Sequence, residues 1–152
     1  MNRLLVFTDV PHHWPICYQH DCPLANTCLR HHAAMEAPAD LKHHECVLPG
    51  AYADDTRPCF VEDKPVRMAR GMTKMLPTDE PWKDTALRQH LEVIFGCHAQ
   101  YYRYRAGRFL ITPAQQKRVA ALFRKFGIAK EPQYDHMEER YYFPKQMKAY
   151  HQ

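Results

Sequence analysis

Residues 17–30 read CYQHDCPLANTCLR, and Arg57-Pro58-Cys59-Phe60 follows after a long excursion. Four residues separate Cys17 from Cys22, five separate Cys22 from Cys28, and Cys59 lies far downstream. Thiolates are soft ligands, and four of them close a tetrahedral zinc shell or hold an iron–sulfur cluster. Cys17, Cys22, Cys28 and Cys59 are therefore the candidate metal ligands, with a zinc ion as the first expectation and a [4Fe–4S] cluster as the alternative. The spacing departs from the paired CxxC of zinc ribbons, and the bulk of a cluster accepts ligands from farther apart. Unmetallated burial is the plain reading beside both, because free cysteine is a common core residue.

The surroundings of these cysteines argue for a staple. Residues 1–23 hold a short extended start at Leu4–Val10 and then a loop marked by Pro11, Pro15 and Pro23. Good helix formers from Leu24 to Glu36 predict a short helix. Residues 37–82 carry Pro38, Pro49, Pro58, Pro65, Pro77 and Pro81, with one strand expected at Pro65–Arg70. About 45 residues with so little regular structure are unusual in a compact domain unless something ties them down. Cys46, His20 and His32 are substitute ligands, and Cys97 is a spare. The doublets His12-His13, His31-His32 and His43-His44 lie in the same region, where exposed loop histidine is the commoner explanation.

The second half is more regular. Leu87, Leu91, Ile94 and Phe95 form one apolar stripe and predict a helix from Asp84 to Phe95. The stretch Tyr101-Tyr102-Arg103-Tyr104-Arg105, with Gly107 and then Arg108, reads either as a hairpin around Ala106-Gly107 or as a helix ending at Gly107. Thr112 as N-cap, Pro113 at the first helical position and Gly127 as the stop define the clearest helix. Its Val119, Leu122, Phe123 and Phe126 share one face, and Lys117, Arg118, Arg124 and Lys125 lie opposite.

Charge follows the same division. Residues 1–76 carry 8 Lys/Arg against 9 Asp/Glu, and residues 77–152 carry 13 against 8. From Val93 to Lys130 eight cations meet no carboxylate. Such a field attracts nucleic acid or an acidic protein surface, and equally serves as a solvated face. Tyr101, Tyr102 and Tyr104 could stack bases while Arg103, Arg105, Arg108, Lys117, Arg118, Arg124 and Lys125 hold phosphates. Packing of the tyrosines in the core, with arginine stems over them, is the competing reading.

Several classes are excluded. The chain has no serine, so serine hydrolase chemistry is absent. Its five glycines are never closer than 11 positions, too sparse for a phosphate-binding loop or a dinucleotide fingerprint. No HExxH occurs, and four thiolates leave no open coordination position, so the expectation leans away from an enzyme. Leu4-Leu5-Val6-Phe7 is too short for a secretory segment, and no apolar run approaches a membrane span. A cytoplasmic setting is expected, where clustered cysteines read as metal ligands before disulfides.

Cys17-x4-Cys22-Pro-Leu-Ala-x2-Cys28-Leu-Arg30, Arg57-Pro-Cys59-Phe60, Lys64-Pro-x-Arg67-x-Ala-x-Gly71, Phe95-Gly96 with the Tyr101–Arg105 run, and the Thr112-Pro-x-x-Gln helix occur in that order. Together, over residues 7–143, the chain resembles a family of small uncharacterised proteins from gut Bacteroidales, known only as a domain of unknown function. The resemblance implies a bacterial protein and favours the cysteines at 17, 22, 28 and 59 over Cys46 and Cys97. It implies no activity.

The expectation is one mainly helical α+β domain over 1–152. A metal-stapled, Cys/His- and Pro-rich lobe (1–76) packs on a helical basic lobe (77–152). Its expected function is that of a metal-stabilised, non-catalytic binding protein, associated with nucleic acid. An iron–sulfur redox or sensing protein is the first alternative, and a small enzyme of unknown reaction the second. The oligomeric state stays open.

Overall fold

The computed structural model describes residues 5–52 and 55–144. It is a mixed α+β fold with four helices and one three-stranded sheet. The chain divides into two compact units. The back unit is Val66–Arg140, and the front unit takes in the described residues before and after it. The division therefore falls at Pro65/Val66, where charge and proline content had drawn it at 76/77.

In the back unit, strand β1 (Val66–Arg70) is central, flanked by β2 (Leu110–Ile111) and β3 (His136–Arg140), both antiparallel to it. Ala69 sits opposite Ile111 on one side and Met137 on the other. Helices α2 (Pro81–Phe95), α3 (His98–Arg105) and α4 (Pro113–Lys125) supply the rest of the core. Leu87, Leu91 and Phe95, four residues apart on α2, meet Val119, Leu122 and Phe123 of α4 in one apolar cluster. Full burial of each such side chain stabilises by about 1.5–3 kcal/mol.

The local sequence explains the boundaries. Helix α2 starts at Pro81, three residues before the expected Asp84, because proline at the first helical position gives up a hydrogen bond the helix start does not use. Helix α4 is capped as expected: the Gln115 backbone N–H donates to Thr112 Oγ1 at 3.3 Å, and the Gln115 side chain accepts from the Thr112 N–H at 2.9 Å. Of the two readings of the Tyr/Arg stretch, the helix is the one adopted. Gly107, at φ 77°, lies just beyond α3 and turns the chain toward β2.

The front unit is sparser. A core of Trp14, Ile16, Leu29, Ala33 and Ala34, with Leu5 and Val10, packs around helix α1 (Leu29–Met35). Two expectations are corrected here. Of the extended start expected at Leu4–Val10, Leu4 lies outside the described residues, and a 3₁₀ turn at Phe7–Asp9 stands between an extended Val6 and an extended Val10. The helix expected over 24–36 is a 3₁₀ turn at Ala25–Thr27 followed by α1, because Cys28 is extended (φ −102°, ψ 121°) and interrupts it. No described helix is long and apolar enough to cross a membrane.

Candidate metal centre

Three backbone ties in the front unit bring distant cysteines together. Cys28 and Glu62 form an isolated antiparallel bridge, with the Leu29 N–H donating to Val61 O at 2.7 Å and the Asp63 N–H to Thr27 O at 2.8 Å. That bridge carries Cys59, three residues before Glu62, back to the start of α1. The Cys17 N–H donates to Arg30 O at 3.0 Å, holding Cys17 to the same helix. Ile16 and Cys46 form a parallel bridge, which lays Val47 and the turn at Pro49–Tyr52 beside Cys17.

The result is a cavity of about 30 Å³ lined by Cys17, Cys22, Cys28 and Cys59. Cys17, Cys28 and Cys59 are each 8% exposed, and Cys22 is half-buried. Leu24, Val47, Ala51 and Phe60 make the remaining wall apolar. Among the described residues, no group of three or more His, Cys, Asp or Glu side chains is placed so that it could hold a metal ion. The four cysteines thus share one cavity without being gathered as a single-ion shell.

Three side chains to which the sequence reading gave no role line the same cavity: Arg30, Tyr52 and Arg57. Arg30 is 2% exposed. Its Nε donates to Cys59 O at 2.7 Å, a guanidinium N–H donates to Pro15 O at 2.6 Å, and the group stacks on the Trp14 ring at 4.2 Å. It therefore fixes the cysteine at 59 and the loop before Cys17 at once. Tyr52 donates to Val47 O at 3.1 Å. Burial, then the neighbouring thiols of Cys17, Cys59 and Cys22, push its hydroxyl up to about 12. Arg57 takes φ 46°, rare for a side chain with a Cβ, and donates to Tyr52 O at 3.3 Å. Arg30 and Arg57 carried one signal, their places in the Cys28-Leu-Arg30 and Arg57-Pro-Cys59-Phe60 motifs; Tyr52 carried none.

The substitute ligands lie elsewhere. Cys46 is exposed and its thiol donates to His44 O at 3.6 Å; burial, then Cys17, raises its pKa. The His20 ring packs edge-on against His31 at 5.1 Å, and His31 Nδ1 donates to Cys17 O at 3.1 Å. His32 pairs with Asp63. None of the three lines the cysteine cavity. Cys97 caps α3 in the back unit.

The back unit distributes the Tyr/Arg segment unevenly. Tyr101 is 2% exposed in the core, and Tyr104 packs against Phe95 at 4.7 Å and Phe109 at 5.4 Å. Only Tyr102 of the three is exposed, so a stack of tyrosine faces for bases does not form. Arg103, Arg108, Lys117, Arg118, Arg124 and Lys125 are exposed, and Arg105 is half-buried.

A small α+β protein whose front unit encloses a four-cysteine cavity is the class these features define. The chain belongs to a family of unknown function, DUF6078, whose model matches residues 1–143. No curated protein and no solved structure matches it.

Proposed function

We propose that the protein is a non-catalytic iron–sulfur protein, in which Cys17, Cys22, Cys28 and Cys59 ligate a [4Fe–4S] cluster that staples the front unit and makes it responsive to redox state or oxygen. The observation that carries this reading is the single cavity shared by four cysteines from distant points of the chain. The separation of the sulfurs favours a cluster over a single ion, although the cavity of about 30 Å³, room for two or three waters, has to widen to take one. Zinc draws its four sulfurs to about 2.3 Å from one point, and no such gathering occurs among the described residues. A cube of iron and sulfide holds its ligand sulfurs farther apart. The buried Arg30 and the adjacent Arg57 suit the net negative charge of a four-thiolate centre.

Purification without oxygen tests the proposal. The expected product is brown, absorbs broadly near about 400 nm, and contains iron and acid-labile sulfide in equal amounts. Cys28→Ala and Cys59→Ala each lose the absorbance, whereas Cys46→Ala and Cys97→Ala keep it. Stoichiometric zinc with colourless protein would overturn the cluster and leave a zinc staple; folded, metal-free protein would overturn both.

A second reading concerns the back unit: a polyanion-binding surface, for nucleic acid or an acidic protein, on the exposed cations of α4. It is supported by the position of Lys117, Arg118, Arg124 and Lys125, all exposed and on the side of the helix away from Val119, Leu122 and Phe123.

A further inference from the structure

A second cavity, of about 390 Å³, lies wholly within the back unit between α2 and α3. Thr85 and Arg88 reach it from α2, Tyr102 and Arg105 from α3, and Leu76-Pro77 forms an apolar wall. Its volume falls within the roughly 300–1,000 Å³ of small-molecule sites.

The two arginines are incompletely used by the protein. Arg88 Nε is buried and donates no hydrogen bond; its nearest carboxylate, Glu92, is 3.8 Å away and already accepts from His98 Nδ1 at 2.8 Å. Arg105 contributes its backbone carbonyl to Met72, and its side chain has no carboxylate partner among the described residues. Both guanidinium groups act on one neighbour. Burial pushes the Tyr101 hydroxyl up, and Arg105 and Arg88 offset only part of that rise. Among the described residues lining the cavity the one carboxylate, Asp84, accepts from Thr78 Oγ1 at 2.6 Å and from the Thr78 N–H at 3.1 Å. Its charge is thereby held toward Thr78 while two cations face the space.

We propose that this cleft binds a small organic oxyanion, a phosphate ester or a carboxylate, with its charged end held between Arg88 and Arg105 and its apolar body against Leu76-Pro77. Paired guanidinium groups grip such oxygens bidentately, and the Thr85 and Tyr102 hydroxyls are within the same lining to add donors. The cleft is lined by back-unit residues, so the proposal does not depend on what the cysteine centre of the front unit contains.

Isothermal titration of the full chain with phenyl phosphate, benzoate and inorganic phosphate tests it. Saturable binding is expected, tighter for phenyl phosphate than for inorganic phosphate, which lacks the apolar body. Preference between phenyl phosphate and benzoate separates a phosphate site from a carboxylate site. Arg88→Gln with Arg105→Gln should weaken binding by at least about tenfold, with Arg105→Gln alone giving part of the loss should the double variant fold poorly. Lys42→Gln, at an exposed cation of the front unit, should leave affinity unchanged. No saturable heat with any of the three probes, wild-type affinity in the arginine variants, or an equal loss in Lys42→Gln would overturn the proposal.

Discussion

Asp135 shows how a single side chain fixes the edge of the back unit. Gly71 ends β1 at φ 77°, and a Cβ there would strike the Asp135 carboxylate, so the backbone conformation and the close approach both require glycine. Asp135 accepts from the Thr73 N–H at 3.1 Å and from Thr73 Oγ1 at 2.9 Å. Burial acts to raise its pKa, but those bonds and the nearby Lys74 outweigh it, and the carboxyl lies below its ordinary value. Glu138 is lowered in the same way, burial being outweighed by Arg70 at 2.9 Å and by Arg140. A carboxyl depressed in the folded state contributes stability that is fully present above its unfolded pKa and is lost as pH falls through the folded one. Urea midpoints measured from neutral pH down through the carboxylate range should therefore decline, and Asp135→Asn with Glu138→Gln should flatten the decline. An unchanged slope in the double variant would show that these bonds do not couple to folding. At this scale the sequence was partly legible. The four cysteines named from the sequence line one cavity, whereas the role of Arg30 was hidden because a charged side chain is ordinarily read as surface.

Among the elements, α4 has a buried apolar face and an exposed basic one, the face proposed above to bind polyanions. Val119, Leu122 and Phe123 are buried, and Lys117, Arg118, Arg124 and Lys125 are exposed. With Tyr101 and Tyr104 committed to the core, any nucleic-acid contact here would run through phosphates rather than stacked bases. Six exposed cations, counting Arg103 and Arg108, set the limit: the log–log salt slope for a duplex should be no steeper than about −5. Arg118→Glu with Lys125→Glu should abolish a low-salt gel shift without regard to base sequence. A shift that survives both reversals would move the contact off this helix. Element legibility tracks local signals. Helix α4 was readable from Thr112-Pro113 and Gly127 because cap, first turn and stop all agree. Strand β3 was not, because His136-Met-Glu-Glu-Arg140 is a charged edge strand specified by pairing with β1, not by its own propensity. The break at Cys28 was equally invisible, since only the distant Glu62 bridge makes that residue extended.

For the whole molecule, the two units differ in what holds them. The back unit has a sheet and three helices around twelve buried residues. Among its described residues the front unit has one seven-residue helix, a seven-residue core that includes two alanines, a separate cluster of Cys17, Val47, Ala51 and Cys59, and no paired strands beyond isolated bridges. So small a core rarely supplies more than about 3–5 kcal/mol. Closure of a thiolate shell by zinc contributes on the order of 10 kcal/mol, comparable to the entire net stability of a typical domain, and a cluster held by the same four ligands would act in the same direction. Loss of the metal should then release the front unit alone. Limited proteolysis after anaerobic loading, followed by oxygen or chelator, should cut within the segment around Cys17–Cys59 and leave a resistant fragment close to Val66–Arg140. Far-UV CD should fall by the small amount that one short helix contributes. If the stripped protein resists cleavage in both units, the apolar contacts around Trp14 and Leu29 suffice by themselves, and the four cysteines need no metal to bring them to a common cavity.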